Sequence, residues 1–202
     1  APGLQGLDGA IESRGAGGVV HLATRDGLVS WPLQWRAIAE LRQADGRIEW
    51  NRFGDGVRLW VDEAVIDTGH GTVRGKLRMA FRPGQLPLMD LTASVADFDA
   101  TQVWRYLPIE RLKPKSLAWL DAAFRAGRVV EGTVSQTGPA RGFPYREGQG
   151  RFHAEARVKG VALFYAPGWP ELRGLDAELV FDGPGMRAVA TRGSLAGIAI
   201  TQ

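Results

Sequence analysis

The sequence predicts a mostly β protein: one long, curved antiparallel sheet with an apolar face and a polar face, forming an open half-pipe. The clearest indication is the stretch 73–81, where odd positions are apolar or glycine and even positions are mostly basic. Successive strand residues point to opposite faces, so this alternation separates an apolar face from a solvated one. The same alternation recurs at 152–159 and 175–182. Glycine provides 27 of the 202 residues and falls mainly between these stretches, where turns and bulges require it.

Six strands are predicted in the first hundred residues from alternation and from the turn residues between them. They span 4–14, 17–24, 34–44, 57–67, 73–81 and 88–98. Asp45-Gly46 is predicted to form a hairpin turn into a further strand at Ile48 and Trp50. Asp55-Gly56 and Pro83-Gly84 supply the turns before 57–67 and 88–98.

The alternation stops near residue 100, and one or two short helices are predicted over 100–126. Asp99 is placed to cap a helical turn over 101–105. Ser116 is placed to cap a second helix that ends at Gly127, since a left-handed glycine commonly terminates a helix. The apolar face of that second helix comprises Leu117, Leu120 and Phe124.

Strand patterns resume at 129–137 and continue, after a loop at 138–150 rich in glycine and proline, to the end of the chain. The predicted organisation is therefore a single β-rich segment, 1–202. It comprises repetitive strands over 1–100, a helical insert over 101–127 and continuing strands over 128–202.

An internal repeat is also visible. Five residues near the N-terminus recur 168 positions later, with similar alternation between them. They are Gly6, Leu7, Asp8, Gly15 and Gly17, matched by Gly174, Leu175, Asp176, Gly183 and Gly185. Two copies of one hairpin unit in a repetitive sheet are the simplest explanation.

Composition narrows the class of protein. Hydrophobic residues make up 45% of the chain and charged residues 23%, as in a folded globular protein. Cysteine is absent, which excludes disulfides, thiol catalysis and thiolate metal sites. The net charge is +3 and 21 of the 25 cations are arginine, but these are interleaved with acids rather than clustered. Nucleic acid is therefore not a predicted partner.

The sequence contains no run of 18 apolar residues and no signal peptide. It begins without methionine and stops within the strand-like run 195–201. We expect the chain to be an internal section of a longer protein.

No catalytic constellation is predicted. Three histidines are scattered without the spacing of a zinc site. They are His21, His70 and His153. Two acidic pairs, Asp62-Glu63 and Asp97 with Asp99, offer glycosidase-type carboxylates, although strand-face and turn positions explain them. Neither a phosphate-binding glycine loop nor a nucleophile elbow is present. The sequence therefore predicts a protein that is not an enzyme and that uses no cofactor and no metal.

Seven tryptophans allow two interpretations, which are core packing and a platform for stacking on sugars or lining a groove. They are Trp31, Trp35, Trp50, Trp60, Trp104, Trp119 and Trp169.

The segment 104–181 carries proline, glycine and aromatic positions in a distinctive order and spacing. They are Tyr106-Leu107-Pro108, Pro114-Lys115-Ser116-Leu117, Trp119-Leu120, Ala126-Gly127, Gly138, Phe143-Pro144, Gly148, Gly150, Phe152, Pro167-Gly168-Trp169-Pro170, Leu172, Leu175 and Phe181. In this segment the chain resembles the YhdP branch of the AsmA-like proteins of Gram-negative bacteria. Residues 1–100 share the repeated pattern of glycine-containing turns and apolar alternation.

The resemblance implies a bridge-like lipid carrier, in which a curved sheet forms an open gutter with an apolar inner face. It implies a periplasmic segment of a protein anchored in the inner membrane by a helix outside this section. The implied function is movement of glycerophospholipid between the inner and outer membranes. The implied partners are glycerophospholipid acyl chains, neighbouring segments of the same longer chain and, through the anchor, the inner membrane.

Ten residues are predicted to line the groove. They are Val73, Leu77, Met79, Phe81, Leu91, Val95, Phe152, Val158, Leu179 and Phe181. Acyl chains sheltered there gain about 0.8 kcal/mol for each buried methylene. Two alternatives remain open, because an apolar strand face is also what a closed core shows. One is a carbohydrate-binding or adhesive β-sandwich, and the other is a structural scaffold of the cell envelope.

Overall fold

The computed structural model describes residues 3–30, 37–106 and 114–201. These residues form strands over most of their length, with one 3-10 helix (Ala100–Tyr106) and one α-helix, α1 (Pro114–Ala123). The strands are β1 (Gly3–Gln5), β2 (Gly9–Arg14), β3 (Gly17–Ser30), β4 (Ala39–Phe53), β5 (Gly56–Asp67), β6 (Thr72–Phe81), β7 (Leu88–Asp99), β8 (Phe124–Pro139), β9 (Arg151–Leu163), β10 (Leu172–Asp182), β11 (Gly185–Leu195) and β12 (Ile198–Thr201).

All twelve strands belong to one antiparallel sheet in which sequence neighbours are also neighbours in space. The exception is at one end, where β1 and β2 both pair with β3 and act as a single interrupted edge strand. At about 4.8 Å per strand, the sheet is about 50 Å long across its strands. It does not close, which confirms the predicted open half-pipe.

The sheet is a single layer. Its accessible surface is 12838 Å², whereas a compact monomer of this size exposes about 9,300 Å². Among the described residues, only twelve named side chains, ten hydrophobic and two polar, are buried. A β-sandwich would bury one face of each of two stacked sheets. That architecture is therefore excluded for the described residues.

The connections alternate between two edges of the sheet, because consecutive strands are antiparallel. The packed edge, as named here, carries the connections 68–71, 100–123 and 164–171. The open edge carries the connections 15–16, 54–55, 82–87, 140–150 and 183–184.

The main hydrophobic cluster lies at the packed edge. Ala100 of the 3-10 helix packs with Val158, Val161 and Ala177, all 5% exposed or less. Tyr106, at the end of the same helix, meets Phe98 edge-on at 5.2 Å between ring centroids. The 3-10 helix therefore covers the packed-edge end of β7 to β10.

The predicted cap of the 3-10 helix is confirmed. The carboxylate of Asp99 accepts a hydrogen bond from the backbone N–H of Thr101 at 2.9 Å and another from its hydroxyl at 2.7 Å. These contacts satisfy a donor that the first turn of a helix leaves free.

The second predicted helix has different bounds. It begins at Pro114, so Ser116 lies inside it, and it ends at Ala123 rather than at Gly127. Phe124 already pairs with Leu163 as the first residue of β8. Gly127 does have a positive φ of 108°, but it lies within β8. A Cβ there would stand 2.5 Å from Cα of Val161, so strand packing rather than helix termination requires this glycine.

The predicted hairpin turn at Asp45-Gly46 is wrong, because β4 continues through it from Ala39 to Phe53. Gly46 pairs with Leu22 on one side and with Ala64 on the other. Two neighbouring strands fix the backbone here, and this pairing overrides the turn preference of the dipeptide. A turn does precede β5, but it consists of Gly54 and Asp55, because Gly56 already pairs with Phe53. The turn at Pro83-Gly84 is confirmed, and residues 34–36 of the third predicted strand lie outside the described residues.

The internal repeat is confirmed in the sheet. Gly6 and Gly174 both have positive φ, at 66° and 59°, and each interrupts the regular pairing of its strand. Register is conserved between the copies: Gly9 pairs with Leu22, and Ala177 pairs with Ala190. The hairpin turn is conserved as well, because Arg14 pairs with Gly17 in one copy and Asp182 pairs with Gly185 in the other.

The loop between β8 and β9 is held by Tyr145, which is 6% exposed. Its Oη accepts a hydrogen bond from Gln136 Nε2 at 2.7 Å and donates one to the carbonyl oxygen of Pro139 at 2.9 Å. In the same loop, Phe143 meets Phe152 edge-on at 4.9 Å between ring centroids. The loop therefore covers the open-edge end of β8 and β9.

We expect Val161→Ala to lower the free energy of unfolding by about 2 kcal/mol, because two methyl groups leave a filled site. Urea unfolding followed by circular dichroism measures the change. Val57→Ala is the matched control, because Val57 is 36% exposed, and its cost should stay below about 0.5 kcal/mol. Equal costs for the two variants would contradict the packed cluster.

We expect Tyr145→Phe to cost about 1 kcal/mol, because two hydrogen bonds are lost and the Gln136 amide loses its acceptor. Limited trypsin digestion should then cleave faster after Arg141 and Arg146, which are exposed in this loop. Tyr165→Phe is the control, because the Tyr165 ring is 54% exposed. Unchanged cleavage in the Tyr145 variant would show that these hydrogen bonds do not hold the loop.

Candidate functional site

The register of the strands assembles one continuous apolar face. In an antiparallel pair, residues directly opposite each other project from the same face of the sheet. Leu77 pairs with Val61 on one side and with Leu91 on the other, and the row extends through eight strands. Its members are Ile11, Val20, Ile48, Val61, Leu77, Leu91, Gln136 and Phe152.

Parallel rows flank this one on the same face. Nearer the packed edge, one row comprises Gly9, Leu22, Gly46, Ala64, Gly75, Ala93, Val134, Ala154, Phe181 and Met186. The next comprises Thr24, Ala44, Ile66, Val73, Val95, Gly132, Ala156, Leu179 and Ala188. Nearer the open edge lie Ser13, Gly18, Trp50, Leu59, Met79, Met89 and Gly138, and then Arg52, Val57 and Phe81. These five rows define the apolar face as the term is used below.

Nine of the ten predicted groove residues fall in these rows. The tenth, Val158, lies further toward the packed edge on the same side of β9. Val158 is only 5% exposed, because Ala100 and its neighbours cover it. Phe152 is half-buried beneath Phe143. At β6, Phe81 is 38% exposed, so this part of the apolar face is not covered.

Several members of the apolar face were missed by sequence inspection. Val20, Ile48, Trp50 and Val61 lie on it as fully as Leu77 does. For Val61, the alternation of apolar and polar residues at 57–61 is the sequence pattern that predicts its place on the apolar face. For Ile48 and Trp50, the turn predicted at Asp45-Gly46 hid the same alternation.

The opposite face is polar. Arg74, Lys76 and Arg78 of β6 stand opposite Ser94, Thr92 and Asp90 of β7. Further along, Arg157 forms an ion pair with Glu131 at 2.9 Å. Two shallow depressions open on this face, beside Trp60 and beside Arg47. They are lined by charged side chains of mixed sign, such as Arg78 with Asp90.

The candidate carboxylates have structural roles. Asp62 and Glu63 form a β-bulge, where β5 has one residue more than β4 and β6 between paired positions. Asp97 adopts a positive φ of 53° and accepts a hydrogen bond from Arg128 Nε at 2.6 Å. Asp99 caps the 3-10 helix.

The histidines are not brought together. His21 lies on the polar face opposite Arg47, and His153 lies 3.1 Å from Glu155 on the same face. His70 lies in the 68–71 turn, where its carbonyl oxygen accepts a hydrogen bond from the N–H of Asp99. Within 3–30, 37–106 and 114–201, no three metal-ligating side chains converge.

Trp50, Trp60, Trp119 and Trp169 do not form one flat platform. Trp50 and Trp60 lie on opposite faces of the sheet, while Trp119 donates from Nε1 to the carbonyl oxygen of Tyr165 at 2.7 Å. Trp169, which is 61% exposed, meets Tyr165 with ring planes inclined at 63°. The rings of Trp119 and Trp169 meet those of Phe124 and Tyr165 edge to face, so they are not stacked side by side in one plane. Trp31 and Trp35 lie outside the described residues.

Tyr106, which packs against Phe98 at the packed edge, is half-buried. Burial raises the pKa of Tyr106 above its ordinary value, and a hydrogen bond with Thr68 opposes this rise. Neither of the described helices is long and apolar enough to cross a membrane.

Comparison with known proteins agrees with this geometry. The family model for the YhdP protein matches residues 1–202. The chain is 27% identical over 188 residues to the intermembrane phospholipid transporter YhdP of Escherichia coli (strain K12). That alignment covers 92% of this chain and 15% of the length of the relative. No solved structure matches. The resemblance in the segment 104–181 therefore extends to the whole chain, which belongs to the YhdP protein family.

Proposed function

We propose that this chain is a non-enzymatic section of a phospholipid conduit. Acyl chains of glycerophospholipid would slide along the apolar face, between the inner and outer membranes. The observation that carries the proposal is the continuity of that face: the row through Leu77 crosses eight strands without a charged residue. The name of the relative, an intermembrane phospholipid transporter, supports the choice of ligand.

The different sizes of the side chains on the apolar face form a shallow groove across the strands, which favours an acyl chain lying in that direction. From β4 to β7, the row of Gly46, Ala64, Gly75 and Ala93 is low, because none of these side chains exceeds a methyl group. Larger side chains flank it, with Leu77 on one side and Val73 on the other. A flexible chain laid in this strip would run along the long axis of the sheet and gain about 0.8 kcal/mol for each methylene it buries.

The same axis supports continuation into neighbouring segments. Within the described residues, β2 and β12 each pair on one side only. Ile11 of β2 is 71% exposed, and Ile198 of β12 is 73% exposed. We propose that adjoining strands of a longer chain extend the sheet there, in a periplasmic protein anchored in the inner membrane. The chain spans 15% of the length of its Escherichia coli relative.

Conduction requires no bond to be made or broken. The ligand remains a phospholipid throughout, so the face needs only to shield apolar chains and to bind them weakly enough for movement. The nine predicted groove residues other than Val158 remain in the proposed contact surface.

We expect Leu77→Asp to abolish copurification of phospholipid while the sheet still forms, because it places a carboxylate between Val61 and Leu91. Native mass spectrometry of detergent-free protein from a Gram-negative periplasm measures the bound lipid. Far-ultraviolet circular dichroism checks the fold.

Thr92→Asp is the matched control, because it adds the same charge to the polar face of the adjoining strand, opposite Lys76. It should leave bound lipid unchanged. Wild-type protein that is folded and free of lipid, and that takes none from phosphatidylethanolamine vesicles, would rule out the proposed function.

A further inference from the structure

The two copies of the repeated hairpin differ in what lies beside them. In the second copy, β10 pairs with β11 on one side and with β9 on the other. In the first copy, β1 and β2 pair with β3, and their other side pairs with no strand among the described residues. We call this side of β1 and β2 the outer edge. Because the copies share register and turn, β9 shows which kind of strand fits the outer edge.

Large apolar side chains are exposed at the outer edge. Leu4 is 64% exposed and Ile11 is 71% exposed. Their counterparts 168 positions later, Leu172 and Leu179, lie opposite apolar residues of β9 and are only partly exposed. An edge strand that exposes apolar side chains is a template for pairing with a further strand. The first copy therefore lacks the cover that β9 gives to the second.

A β-bulge distinguishes the contact between β9 and β10 from regular pairing. Between two paired positions, β9 has the residues Lys159 and Gly160, whereas β10 has only Asp176. Gly160 adopts a positive φ of 62°, and its N–H donates a hydrogen bond to the Asp176 carboxylate at 2.8 Å. Side chains disfavour this backbone conformation, so the bulge requires glycine. The Asp176 carboxylate thus recognises a glycine bulge in the neighbouring strand.

The first copy retains the acceptor of this contact. Asp8 is the counterpart of Asp176, and its backbone is held by Thr24, which is fully buried. The Asp8 N–H donates to Thr24 Oγ1 at 2.9 Å, and that hydroxyl donates to the Asp8 carbonyl oxygen at 3.2 Å. The Asp8 side chain is exposed, and within 3–30, 37–106 and 114–201 its carboxylate makes no hydrogen bond or ion pair. A fixed backbone therefore presents a carboxylate without a donor.

We propose that the outer edge binds an antiparallel strand that carries a glycine bulge opposite Asp8 and apolar residues opposite Leu4 and Ile11. The N–H of that glycine donates to the Asp8 carboxylate, as Gly160 donates to Asp176. This rests on the proposed function, because the strand belongs to an adjoining segment of a longer chain. It deepens that function by specifying the strand that continues the sheet.

The bulge contact fixes the register between the two segments. With the bulge opposite Asp8, an apolar residue stands opposite Ile11, and the row through Leu77 gains one more strand. A slip of one residue would move the bulge away from Asp8 and turn the apolar residues of the added strand to the polar face. Correct register thus keeps the apolar face continuous across the junction.

A synthetic peptide with the sequence of β9, residues 151–163, serves as the probe strand. Fluorescence anisotropy of the labelled peptide measures its binding to the chain. We expect Asp8→Ala to weaken binding about tenfold, because a hydrogen bond to a charged group is lost. A peptide with Gly160→Val should bind the wild-type chain roughly tenfold more weakly, because valine is disfavoured at positive φ. Asp55→Ala is the matched control, because Asp55 is exposed in the turn between β4 and β5, and it should leave binding unchanged.

Disulfide crosslinking tests the register, since the chain contains no cysteine. Leu179, the counterpart of Ile11, lies opposite Ala156. Ile11→Cys in the chain should therefore crosslink to a peptide with Ala156→Cys. It should not crosslink to a peptide with Phe152→Cys, because four residues place that position about 13 Å further along the strand, beyond the reach of a disulfide.

A peptide that does not bind the wild-type chain, or that binds the Asp8→Ala variant equally well, would overturn the proposal. Equal crosslinking at the two peptide positions, or none at either, would overturn the register. A disulfide-linked dimer of the Ile11→Cys chain in place of the peptide adduct would assign the outer edge to a second copy and would also overturn the proposal. Lipid copurification with the wild-type chain tests the proposed function separately, and that function stands if only the strand contact fails.

Discussion

The register between neighbouring strands is the constraint on which the rest of this structure depends. A shift of one residue between β6 and β7 would turn Leu91 toward water and Thr92 toward the apolar face. Direct pairing of Leu77 with Val61 and Leu91 instead aligns apolar residues strand after strand. Because each strand has one dominant apolar parity, a shift by an odd number of residues would turn its apolar side chains to the polar face, and the hydrophobic effect opposes such shifts.

In the described residues the sheet is a single layer, so no second sheet covers its apolar face. The cover over that face differs between the packed edge and the open edge. At the packed edge, the 3-10 helix and the residues around Val161 supply a small core. At the open edge, within the part of the chain that the structure describes, the loop held by Tyr145 covers the face over β8 and β9. The uncovered surface between β4 and β7 thus remains available to a ligand, and stability is concentrated away from it.

Some charged residues make contacts that stabilise the sheet, whereas others have no ion-pair partner among the described residues. Asp97 and Asp99 satisfy Arg128 and the first turn of the 3-10 helix, and Asp62 with Glu63 forms a bulge, where extra twist bends a sheet. These carboxylates shape the sheet and end its strands. Arg58 and Arg82, whose guanidinium groups lie over the Phe53 ring, do neither, since they pair with no acid among the described residues.

The alternation at 73–81 and at 175–182, and the glycines between strands, were sufficient to predict the open sheet and nine of the residues on its apolar face. The helix end at Gly127 and the turn at Asp45-Gly46 were wrong, because local preference there competes with pairing to strands distant in sequence. The cover over Val158 and the meeting of Arg82 with Phe53 likewise follow from chain contacts that no local pattern encodes. Sequence periodicity determined which residues are apolar together, whereas the tertiary structure alone decided which of them stay uncovered, because exposure depends on what packs above a face and not on the alternation within it.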